Sequence, residues 1–110
     1  MIHITIYKND RNQCMGFQAE GHAGMAEAGQ DIVCAAVSIL TMNTINAIET
    51  FADDEFSLVS DEVDGVIAFH LAETPTPEAE LLLEAMILGL EDLADDEDYS
   101  EFIYVNFEEV

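Results

Sequence analysis

Five short stretches of this chain place apolar residues at every second position, and two longer ones place them at helical spacing. The order of the seven is ββαββαβ, and that order is the strongest constraint on the fold. Ile2, Ile4 and Ile6 alternate with His3, Thr5 and Tyr7, giving a first strand with one apolar face. The polar turn Lys8 to Gln13 leads into a second strand, Cys14 to Ala19, placed to pair with the first as a hairpin. Gly21 to Gln30 reads as a loop of small residues. Asp31 reads as the cap that opens a helix running to about Phe51 or Ala52. Asp53, Asp54 and Glu55 mark the break after it. Phe56 to Ser60 and Val66 to Ala72 read as strands around "DEVDG", whose Asp64-Gly65 is a hairpin dipeptide. Thr76 as N-cap, Pro77 at the first helical position, and Glu78 and Glu80 in the first turn open a second helix to about Leu93 or Ala94. The acidic linker Asp95 to Asp98 leads to a last strand, Phe102 to Phe107. Two hairpins and two helices predict an α+β fold in one domain, residues 1–110: a largely antiparallel five-stranded sheet packed with two helices.

Charge narrows the function. The chain has 24 acidic residues against 2 basic ones, a formal net charge of −22. Nucleic-acid binding is excluded, because phosphate contacts need Lys and Arg. An acidic surface instead favours basic partners and speeds their capture. No uninterrupted apolar stretch reaches the roughly 18 residues of a membrane span, so no membrane partner is expected. The N-terminus lacks the basic region and apolar block of a secretory signal, and the expected location is cytoplasmic. In that compartment Cys14 and Cys34 are not expected to form a disulfide. Together with His3, His22 and His70 they show no metal-ligand spacing, so neither a metal nor another cofactor is expected.

"EGHAGMAEAGQDIVCAAVS", Glu20 to Ser38, carries the chemistry. On a helical wheel with about 100° per residue and Asp31 at zero, Val33, Ala36, Val37, Leu40, Thr44, Ala47, Ile48 and Phe51 cluster near 200° as the core stripe. Cys34 falls near 300° and Ser38 near 340° by the same rule. Asp31, Cys34 and Ser38 therefore share a face at spacings i, i+3 and i+7, away from the centre of that stripe. A thiolate is favoured near a helix N-terminus and beside an imidazolium, and this reading places Cys34 in the first turn. His22 lies across a small-residue loop in which Gly24 and Gly29 supply backbone freedom. It stands ready as base for the thiol and then acid for a leaving amine, with first-turn N–H groups as part of an oxyanion site. Taken singly, each residue has a plainer role: Cys34 as a small core hydrophobe, Asp31 as a cap, Ser38 bonded to its own backbone.

"GHA" followed by "GQDIVCAAVS" resembles the signature of the ribosomal-processing cysteine protease family, the Prp or YsxB-like proteins. The resemblance covers nearly the whole chain, with Gly21, His22, Ala23, Gly29, Asp31, Val33, Cys34, Ala35 and Ser38 at the family's positions. It implies a cysteine endopeptidase with a Cys34–His22 dyad and supporting roles for Asp31, Ser38, Gly21 and Gly29. It also implies a homodimer, and as substrate a basic large-subunit ribosomal protein of bacterial L-twenty-seven type, which loses a short N-terminal extension. Ile32, Ile39 and Met42, on helix faces away from the core stripe, call for a cover; the apolar second helix, with Gly89 permitting close approach, and a second subunit both fit. Two alternatives stand beside the protease. One is a non-enzymatic acidic binding module or ribosome assembly factor that docks a basic ribosomal protein. The other is a thiol-redox or metal role pairing Cys14 with Cys34. His3 and His70, each within a strand pattern, are rival bases.

Overall fold

The structure, a computed structural model, describes residues 1–21, 28–61 and 63–110. Its elements are β1 (Ile2–Lys8), β2 (Cys14–Glu20), α1 (Ala28–Phe51), β3 (Phe56–Asp61), β4 (Val66–Leu71), α2 (Pro77–Asp95), a single 3-10 turn (Ser100–Phe102) and β5 (Ile103–Glu109). The ββαββαβ order stands as expected. The strands form one sheet in the order β3-β4-β2-β1-β5. Every neighbouring pair is antiparallel except β1 and β5, which run parallel.

Register decides what each face carries. Ile4 lies opposite Ala19, Ile6 opposite Phe17, and Phe17 in turn opposite Phe69. Because strand side chains alternate, this aligns Ile2, Ile4, Ile6, Phe17, Ala19, Ile67 and Phe69 on one face, none of them more than 5% exposed. His3, Thr5, Tyr7, Gln18 and His70 take the other face. Both helices supply buried side chains to the apolar core, α1 through Val33, Val37, Ile45 and Ile48 and α2 through Ala79, Leu83, Met86 and Leu90. Thr41 and Thr44 enter the core with their hydroxyls satisfied, donating to the carbonyls of Val37 at 2.8 Å and Leu40 at 2.7 Å. At the start of α2 the Ala79 N–H donates to Thr76 Oγ1 at 3.3 Å. Asp54 ties that cap to the α1–β3 connection by accepting from the Thr76 N–H at 2.9 Å.

Two expectations are corrected. First, α1 begins at Ala28, so Asp31 sits in its first turn rather than capping it, and Gly29 is helical rather than part of the loop. An acidic residue is as favourable in a first turn as at a cap, so Asp31 alone does not locate the boundary. Second, Phe51 is 74% exposed, while Thr41 and Ile45 are inside. With these residues the stripe centres near 250° by helical geometry, about 50° from the expected direction. Asp31–Phe51 is, by length and composition alone, long and apolar enough to cross a membrane, a test that the core helix of a soluble protein also passes. Its polar interruptions are mainly hydroxyls and amides, which weigh little against that many aliphatic residues. In this fold its apolar side packs into the sheet core.

Candidate active site

Four pieces of the chain meet at one end of the sheet. His3 pairs with Glu20 and Glu20 with Val66, so the start of β1, the end of β2 and the β3–β4 turn lie side by side. The start of β5 joins them, with Ile103 opposite Ile2. Gly21 closes this end. Its N–H donates to the Gly65 carbonyl at 3.1 Å, its φ is +89°, and a Cβ there would stand 2.6 Å from the Met1 carbonyl oxygen. Only glycine meets both demands. The residue that precedes His22 is thereby pinned between β1 and the β3–β4 turn. His22 itself, with Gly24, lies outside the described residues.

Cys34 is half-buried and touches the edge of the core. Asp31, one turn before it, is exposed, and Ser38, one turn after, is half-buried. The three share a side of α1, as their spacing predicts, but that side borders the core instead of standing clear of it. Because the helix starts at Ala28, Cys34 occupies the second turn, beyond the N–H groups at the helix start that lack helical partners. The expected first-turn position of Cys34 is corrected accordingly, and the pull of the helix terminus on its thiol is weaker there. Burial pushes the Cys34 thiol above its ordinary pKa, and the Asp31 carboxylate adds to the effect. The resting environment described here favours the thiol, so a nucleophile at this position needs a base.

The rival groups are set apart by the sheet. His3 packs edge-on to Tyr104 with ring centroids 6.0 Å apart, and His70 lies against Tyr7 at 5.2 Å. Both are on the outer face, with the sheet between them and α1. Cys14 is fully buried, and its Sγ–H donates to the Gly16 carbonyl at 3.3 Å. It lies at the opposite end of β2 from Gly21, about 20 Å away at roughly 3.3 Å per residue. No disulfide joins it to Cys34. Cys14, sealed in the core with its proton on the Gly16 carbonyl, is not placed for exchange with solvent reductants or metal, and nothing described supports the role that pairs it with Cys34. Among the described residues no three His, Cys, Asp or Glu side chains are gathered to hold a metal ion. Sequence reasoning did not find the anchoring roles of Met1 and Gly65. Asp64-Gly65 signals a turn, but its bond to Gly21 joins segments far apart in the chain, and no local pattern reports that.

Comparison with known proteins identifies a family for the chain. Residues 1–104 match the family model described as "Cysteine protease Prp". The chain is 36% identical over 109 residues to the ribosomal processing cysteine protease Prp of Bacillus subtilis, covering 96% of both chains. It is 31% identical to the Prp of Staphylococcus aureus (strain NCTC 8325), covering 97% of this chain and 99% of that one. The crystal structure of the S. aureus ribosomal processing protease Prp in complex with a substrate peptide superposes with a TM-score of 0.91 at 29% identity, covering 98% of this chain and all of that one. A Streptococcus mutans protein superposes with a TM-score of 0.88 at 36% identity, covering 100% of this chain and 99% of its own.

Proposed function

The chain belongs to the cysteine protease Prp family, and from that premise we propose that Cys34 is its nucleophile and His22 the base and acid that serve it. The enzymatic assignment displaces the non-enzymatic binding module. His22 takes the proton from Cys34 Sγ, and the sulfur attacks the scissile carbonyl carbon. The tetrahedral oxyanion collapses, the C–N bond breaks, and the imidazolium protonates the departing amine. The resulting thioester is hydrolysed by water that His22 deprotonates, which releases the acid and restores the thiol. Asp31 has two opposite effects in this scheme. Its carboxylate disfavours the thiolate, yet it favours a positive charge on a nearby imidazole, so it assists the proton's transfer to His22 once substrate has arrived. Ser38 lines the same side of α1, and Gly21 sets where the His22 segment leaves the sheet. Gly29, within α1, lets the first turn approach substrate closely.

The substrate in this reading is the N-terminal extension of a basic large-subunit ribosomal protein of L-twenty-seven type, met in the cytoplasm. The net charge of −22 draws such a protein in. The active form is a homodimer that covers Ile32, Ile39, Leu81 and Leu88, all more than half exposed on the helix layer. The observation that supports the reading is the Met1 amino group, which acts on the Cys34 thiol, while the Met1 carbonyl abuts Gly21, the residue before His22.

The test is mass spectrometry of the ribosomal protein's N-terminus after incubation with the wild-type chain, Cys34→Ala or His22→Ala. Loss of the extension with wild type alone is the expected result. Removal of the extension by Cys34→Ala at the wild-type rate overturns the assignment.

A further inference from the structure

β3 is an edge strand, and among the described residues its one strand partner is β4. The Ala72 N–H donates to the Glu55 carbonyl at 2.9 Å, which sets the alternation of the ladder. Residues 57, 59 and 61 bond inward to β4, while Phe56, Leu58 and Ser60 turn their N–H and C=O groups to the open side. Exposed edges are ordinarily blunted by charge, proline or a bulge. Phe56 to Ser60, "FSLVS", has no charge and no proline, and its pairing with β4 runs without a register shift, in a chain that holds 24 acidic residues. The opposite edge differs, since α2 and the 3-10 turn contact β5, which ends in Glu108 and Glu109.

The inner face of β3 is also uncovered beyond Phe56, which packs on Phe69 with ring centroids 4.9 Å apart. Leu58 lies opposite Phe69 in the ladder, yet Leu58 is 40% exposed and Phe69 fully buried. The helix layer therefore stops at β4 and leaves β3 as a shelf. This shelf is on the Cys34 side. α1 meets α2 through Leu40, against which a Cβ on Gly89 would stand 3.1 Å away. Leu40 and Cys34 are about 120° apart around the helix, so with α2 toward β5, Cys34 lies on the side of α1 turned away from α2, where the Met1 amino group acts on its thiol. The Asp61 end of β3 also pairs with Val66, at the end of the sheet where Gly21 sits.

Resting on the protease reading above, we infer that the free edge and shelf of β3 receive the substrate as an added extended strand. The occupant is set by charge. Asp53, Asp54 and Glu55 precede β3, and Asp61 and Asp64 follow its uncharged middle. The complementary segment is uncharged at its centre and basic on both sides. A second copy of β3 would instead bring carboxylates against carboxylates at each end, which disfavours self-pairing.

Two variants and one set of peptides test this. Ser60→Pro removes an edge N–H without touching a bond to β4, and Leu58→Glu places a charge on the shelf. Binding of a long peptide, basic on both sides of the scissile bond, is measured by fluorescence anisotropy with Cys34→Ala protein, so binding is scored whether or not cleavage occurs. Each variant is expected to weaken this binding about tenfold. In the cleaving protein each raises KM for the long peptide and leaves kcat for a short peptide confined to the scissile bond unchanged. N-methylation at alternate residues of the long peptide is expected to abolish binding to the unsubstituted β3, a readout independent of the folding of either variant. Unchanged affinity across the N-methylated series overturns the proposal. So does a shift from dimer to monomer in sedimentation of a normally melting Ser60→Pro, because the edge then serves a second copy. Binding that depends on β3 in a chain that cleaves nothing would overturn the protease reading and leave this inference standing.

Discussion

Cys14 and Cys34 carry the same side chain into two different settings. Cys14 begins a strand whose inner face is core. It is sealed from water, its proton is engaged by the Gly16 carbonyl, and its thiol is pushed up to about 11 from 9.0, chiefly by burial. Cys34 lies on a helix at the border of the core, half-exposed, beside a carboxylate that works against its ionisation. Neither site yields a thiolate unaided. The difference lies in access: a base and a carbonyl carbon can reach Cys34 but not Cys14.

Exchanging the two roles is the strongest way to break that comparison. Cys34→Ala is expected to lower cleavage of an extension-bearing peptide on the order of 10³-fold or more, as loss of a nucleophile does. Cys14→Ala is expected to leave the rate within about threefold and to act on stability. Steady-state cleavage by the two purified variants, each checked by its melting curve, measures both. Equal losses from both would dissolve the distinction.

Stability against pH separates the thiols in the other direction. A thiol whose pKa is higher in the folded chain than in the unfolded one favours folding while it remains protonated. Below 9.0 Cys14 is protonated in both states and its contribution is complete. From 9.0 to about 11 the unfolded chain ionises first, and the contribution is lost. Two pKa units correspond to roughly 3 kcal/mol. Urea unfolding at a series of pH values is expected to show this decline in the wild-type chain and a shallower one in Cys14→Ala. Parallel profiles would mean that Cys14 is less sealed than its surroundings indicate.

Much of this contrast was legible in the sequence, and its limits have physical causes. The ββαββαβ order followed from periodicity, and the shared side of Asp31, Cys34 and Ser38 from helical spacing. The environment of each thiol was less accessible. Cys14 stands at the head of an alternating strand, and a β-bulge between Tyr7 and Lys8 sets its pairing there, something local alternation does not encode. The start of α1 was misplaced because Ala28, Gly29 and Gln30 carry no helix-start signal of their own. The three-residue difference moved Cys34 from the first turn to the second and changed the reading of its electrostatics. The clamp formed by Met1, Gly21 and Gly65 joins three distant segments, and only the assembled sheet reveals why a glycine stands before His22.

The smallest expected effect concerns what Asp31 does to Cys34. Its carboxylate raises the thiol's pKa, so Asp31→Asn should lower it. Alkylation by iodoacetamide follows the thiolate fraction, and at a pH below the titration midpoint a lower pKa means faster reaction. The gain is expected to be about twofold to threefold, because Asp31 is exposed and water screens much of its field. It should shrink further as salt is raised, while the Cys14 thiol in the same folded protein stays unmodified throughout. Cleavage is expected to move the opposite way, since the proposed catalytic cycle needs the carboxylate beside an imidazolium. Faster alkylation with slower cleavage would assign Asp31 to the proton's destination on His22. If both rates rise together, Asp31 acts on the thiol alone and the division of its effects proposed above fails.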